Sequence, residues 1–168
     1  MVRIGEYQIG TQARVYGYQS HHGKEDVLRG QYSSGTIFFS GCNLHYVFCQ
    51  NSDISQENRG LEISTEELVT MMIKLQQMGC HNINFVSPSH VVAHILRALE
   101  IAIPQGLHIP LVYNSGGYDA LETLHLLEGI VDIYLPDMKY AGNANASKYS
   151  GVQDYVEVNQ TAVLEMQR

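Results

Sequence analysis

The chain has 168 residues, a formal charge of −7 and no tryptophan, with 45% hydrophobic and 16% charged residues. That length suits a single domain with a real core, and the composition excludes a disordered chain. The acidic balance excludes non-specific nucleic-acid binding, which needs a concentration of Lys and Arg.

Residues 1–34 scatter Gly5, Gly10, Gly17, Gly23 and Gly30 among tyrosines and polar residues. They read as an irregular N-terminal extension with one short strand at 13–18, and no signal peptide is expected. His21 and His22 read there as exposed neighbours rather than metal ligands. A core domain occupies 35–168, beginning with a β-branched and aromatic strand at 36–39 and a loop over 40–58. Ser64-Thr65-Glu66-Glu67 is a capping box. Leu68, Met71, Met72, Leu75 and Met78 then recur at helical spacing until Gly79 stops the helix.

A strand at 82–86 leads to a helix over 89–103 with Ser89 as N-cap. That helix buries Val92, Ile95, Leu96, Leu99 and Ile103 before Pro104 ends it. The stretch 91–103 is the most apolar in the chain, but His94, Arg97 and Glu100 interrupt it, so no membrane span is expected and the cytoplasm is the default compartment. A strand at 111–113, a helix over 119–128, a strand at 130–135 and a final helix over 155–167 complete the pattern. Strand followed by helix, repeated, implies parallel strands with right-handed crossovers. The fold class is α/β: a partial (β/α) barrel of about four βα units, TIM-barrel-like, with an open doubly wound sheet fitting equally well. In either, ligands bind where the strands end.

The segments after the strands are therefore the ones to read for chemistry. The first is Gly41-Cys42-Asn43-Leu44-His45-Tyr46-Val47-Phe48-Cys49-Gln50-Asn51, which holds two of the three cysteines. An odd cysteine count does not suit a secreted disulfide framework. The loop resembles the signature of radical S-adenosylmethionine (SAM) proteins, three cysteines spaced C-x3-C-x2-C after a strand. With the stretches 35–44, 81–86 and 131–140 it is similar to pyruvate formate-lyase activating enzyme-like proteins, from about Tyr16 onward.

The resemblance implies a 4Fe–4S cluster on Cys42 and Cys49, its open iron chelated by SAM. Reductive cleavage of SAM would give a 5′-deoxyadenosyl radical for hydrogen abstraction, with a protein substrate of the glycyl radical enzyme type. It also implies a SAM site containing Phe48, Ser87, Asn114, Asp137 and Lys139. Phe48 would meet the adenine, and Lys139, set by Asp137, would pair with the SAM carboxylate. The sequence departs from the family in three respects. Tyr46 replaces the middle cysteine, Ser87-Pro88-Ser89-His90 replaces the Gly-Gly-Glu motif, and the pattern holds about four βα units rather than the usual six.

These departures lead to the expectation of a labile or absent cluster and impaired activity. A third ligand could come from His45, the Tyr46 phenolate or Cys80, although Cys80 also reads as an inert buried thiol. A non-catalytic relative is the alternative, acting as an interaction module or binding iron, or zinc through Cys42, His45 and Cys49 with Cys80 or His81. A half-barrel should also leave a strand edge open and self-associate.

Overall fold

The computed structural model describes residues 12–21 and 33–168. The expectations for Gly5, Gly10, Gly23, Gly30 and His22 lie outside them. In chain order the elements are β1 (Ala13–His21), β2 (Ser34–Phe39), α1 (Ser52–Ser55), β3 (Leu61–Ile63), α2 (Thr65–Gln77) and β4 (Ile83–Val86). They continue with α3 (Val92–Ala102), β5 (Leu111–Ser115), α4 (Leu121–Leu127), β6 (Ile133–Pro136), α5 (Asn143–Ser150) and α6 (Tyr155–Met166).

The strands form one six-stranded sheet in the order β3-β1-β2-β4-β5-β6. Strands β2, β4, β5 and β6 run parallel, in the register Thr36, Asn84, Val112, Ile133. The mixed α/β class and the parallel set of four agree with the reading of the sequence. The sheet is not wholly parallel, however. β1 is a nine-residue strand that pairs antiparallel with β2 and with the short β3. The strand read at 13–18 is present and runs on to His21, with a bulge between Val15 and Gly17.

Alternation along the strands decides which face is core. Ile37, Phe39, Ile83, Phe85 and Leu111 face the apolar stripes of α2 and α3, where Leu68, Met72, Leu75, Ile95, Ala98 and Leu99 are buried with them. Helix α2 starts as its capping box dictates. Ser64 Oγ accepts from the Glu67 amide at 3.2 Å, and Glu67 Oε2 accepts from the Ser64 amide at 2.7 Å. Helix α3 starts three residues later than its pattern suggests, because the Val91 amide donates to the Pro88 carbonyl and closes a turn first. Ser89 therefore caps nothing. β6 is likewise shifted, since 128–130 form the turn that leaves α4, and Asp132 Oδ2 accepts from the Leu111 amide at 2.8 Å.

Helix α5 was not expected at all. Asn143-Ala144-Asn145-Ala146 has weak helix propensity and little amphipathic pattern, and only the left-handed stop at Gly151 marks its end. No helix among the described residues is long and apolar enough to cross a membrane.

Candidate functional site at the carboxyl ends of the parallel strands

The loop after β2 is fixed before its side chains do anything. The Gly41 amide donates to the Ile54 carbonyl at 3.0 Å, and the Cys49 amide donates to the Tyr46 carbonyl at 3.1 Å, turning the chain back between those two residues. His90 Nε2 donates to the Ser40 carbonyl at 2.8 Å, so this imidazole holds the turn from which Cys42 projects. Burial lowers the His90 pKa, the Ser40 hydrogen bond opposes that, and neighbouring His94 adds to it.

A cavity of about 390 Å³ opens above the sheet, within the size range of small-molecule sites. Its wall contains Cys42, Phe48, Cys49, Ser87, Asn114, Asp137 and Lys139, contributed by the segments after four different strands. The seven residues that the resemblance assigns to the cluster and SAM sites thus lie on one surface, with Tyr46 among them. The register explains it: Phe38, Val86 and Asn114 share a sheet face, and the loops that continue from them converge.

Individual placements refine the expectations. Phe48 is 53% exposed at the mouth of the cavity. It stacks on Tyr46 with centroids 5.1 Å apart and meets the Tyr140 ring edge-on at 6.1 Å. Ser87 has φ of +56°, an uncommon left-handed conformation for a residue with a Cβ, at the tip of β4. Its amide donates to the Asn114 carbonyl at 3.0 Å. Lys139 Nζ lies 2.7 Å from Asp137 Oδ2 and 5.4 Å from the centroid of the Tyr46 ring, so one ammonium answers both a carboxylate and an aromatic face.

Three further residues build the site from behind, and no local sequence signal marks them. Tyr155 on α6 accepts from the Lys139 amide at 2.8 Å, and Asn159 one turn later donates to the Gly117 and Asp137 carbonyls at 2.9 Å each. They clamp the loops after β5 and β6 together. Asp119 is buried and accepts hydrogen bonds from Tyr113 at 2.8 Å and Ser115 at 2.6 Å, which fixes the loop after β5. That loop grips the cysteine loop in turn, through Asn43 Nδ2 donating to the Tyr118 carbonyl at 2.5 Å.

The donor set decides what the site can hold. Burial raises the Cys42 pKa, and charge on Cys49 and Asp119 works the same way against the Leu44 amide that hydrogen-bonds to its sulfur. Burial also raises the Tyr46 pKa, with further contributions from Cys49, Cys42 and Asp137 charge and a hydrogen bond to Cys49. Position 46 therefore offers a phenol that keeps its proton beside two thiols. Cys80 cannot make up the deficit: it lies in the α2/α3 core beside Ser33, Sγ to Oγ 3.4 Å. His45 is exposed and outside the cavity wall. No three His, Cys, Asp or Glu side chains among the described residues are grouped to hold a metal ion. Two thiols and a protonated phenol do not fit a cluster anchored by three thiolates.

No protein-family model matches the chain. It is similar to the uncharacterized protein MJ0674 of Methanocaldococcus jannaschii, 37% identical over 145 residues, covering 82% of this chain and 41% of that protein. The chain thus spans about two fifths of the length of the curated relative it matches.

Proposed function

We propose that the chain is a radical SAM-type domain of the pyruvate formate-lyase activating enzyme-like kind, with its SAM cavity kept and its cluster impaired. On this reading β2, β4, β5 and β6 are successive strands of a partial (β/α) barrel, with β1 and β3 added at one edge. The carrying observation is convergence: residues nominated from four separate segments, 42–49, 87, 114 and 137–139, line one cavity. Parallel register brings these segments to one edge of the sheet, where ligands bind in α/β folds, and the resemblance supplies the ligand.

Each residue has a part in that cavity. Lys139 takes the carboxylate of the ligand's amino-acid head, and Asp137 holds Lys139 in place while attracting the α-ammonium. Ser87 and Asn114 offer hydroxyl and amide groups from adjacent strand ends, and Phe48 offers an exposed ring to the adenine. In the proteins that the sequence resembles, the cluster supplies the electron that cleaves SAM. Here its third thiolate is missing, so hydrogen abstraction from a glycyl radical enzyme-type substrate is weak or lost.

Reconstitution tests this directly. The parent and Tyr46→Cys proteins are incubated anaerobically with iron and sulfide, then assayed for iron and for broad absorbance near roughly 400 nm. The substituted chain is expected to hold about three to four irons and the parent fewer than about one. If Tyr46→Cys gains neither iron nor absorbance, the cluster reading fails.

A further inference from the structure

We infer that Tyr46 has turned the place of a cluster ligand into an aromatic wall that holds a cation, so that the cavity binds a sulfonium nucleoside of the SAM class with no iron present. The inference rests on the reading of this cavity as a SAM site and goes beyond it, because in the family pattern SAM is held through iron.

The geometry around position 46 carries the argument. Tyr46 stands half-buried in the cavity wall, in the place of a cluster ligand. The Tyr46 ring is held in place by Phe48, which stacks on it with centroids 5.1 Å apart. It already attracts a positive charge: the Lys139 ammonium is 5.4 Å from the centroid, within the range over which a ring quadrupole holds a cation. Asp137 balances that ammonium at 2.7 Å. A ligand with an α-amino-acid head and a positively charged sulfur matches each group. Its carboxylate draws Lys139 off the ring, its ammonium meets Asp137, and its sulfonium replaces the Lys139 charge over Tyr46. The aromatic face exchanges one cation for another.

This arrangement makes Tyr46 a specificity determinant. A neutral thioether gains nothing from the ring face, so S-adenosylhomocysteine should bind less well than S-adenosylmethionine.

The test is calorimetric titration of the full chain after treatment with EDTA under a reducing thiol, with residual iron measured. The parent is expected to bind one S-adenosylmethionine per chain, and S-adenosylhomocysteine about tenfold more weakly. Tyr46→Phe keeps the ring and should keep the preference. Tyr46→Leu should lose about tenfold for S-adenosylmethionine and little for the homocysteine analogue, with circular dichroism melts confirming folded variants. Failure of the iron-free parent to bind S-adenosylmethionine overturns the inference, as does unchanged binding by a folded Tyr46→Leu. If the reconstituted Tyr46→Cys protein then binds S-adenosylmethionine, the function proposed above survives and only the cluster-free mode is lost. If neither protein binds it, both fall.

Discussion

His90 contributes nothing to the cavity wall, yet it sets the turn that delivers Cys42, and its chemistry gives that turn a pH dependence. Its ring is buried and lies beside His94, and the Nδ1 atoms of both imidazoles are buried without a hydrogen-bond partner. Its folded pKa is lowered, so protonation favours the unfolded chain. The sign follows: the contribution is fully present above the ordinary histidine value of about 6.5 and is lost as pH falls below it towards the folded pKa. The parent should therefore melt earlier at about pH 5.5 than at about pH 7.5. His90→Gln should start from a lower melting temperature, having lost the Ser40 contact, but show a flatter decline. Parallel slopes in scanning calorimetry would place the acid sensitivity elsewhere.

Among the elements, α6 shows how the cavity is held together from outside it. Tyr155 and Asn159 bridge the loops after β5 and β6, and the point of closest approach is Gly117, with φ of +69°. A Cβ there would run into Asn159 and the Asp137 carbonyl. Gly129 has nearly the same φ, +70°, but nothing within 4 Å of the added atom. Gly117→Ala combines the left-handed penalty with overpacking and should cost about 2–4 kcal/mol. Gly129→Ala should cost only about 1–2 kcal/mol. Chemical denaturation of the two variants measures the difference, and equal losses would mean that the clamp gives way easily.

For the whole molecule, the unmatched feature is the outer edge of β6. Among the described residues this strand pairs with β5 and with no other strand, and all four of its residues are only partly buried. Beside it runs a cleft of about 590 Å³ walled by Val131, Tyr134 and Met166. An open edge with backbone groups to pair is a template for a second chain. The protein should self-associate with concentration in sedimentation velocity, and Ile133→Lys, a charge on that edge, should shift it towards monomer. A parent that stays monomeric at its highest attainable concentration would show that the edge is covered in some other way.

The sequence by itself determined whatever depends on near neighbours along the chain. The Ser64/Glu67 box fixed the start of α2, β-branched and aromatic runs marked β2, β4 and β5, and strand-helix alternation placed the reactive loops at one end of a parallel sheet. Because ligands gather at strand ends, that was enough to single out the segments after the strands, and the resemblance to radical SAM proteins then implied Cys42, Cys49, Ser87, Asn114, Asp137 and Lys139 within them. Tertiary structure decided what depends on residues distant in sequence. The antiparallel β1–β3 edge, the turn that displaced the Ser89 cap, the separation of Cys80 from the cavity, and the roles of His90, Tyr155 and Asn159 all rest on contacts that local propensity does not encode. The stacking of Phe48 on Tyr46 and the placing of the Lys139 ammonium over its ring were decided the same way, by packing between distant segments.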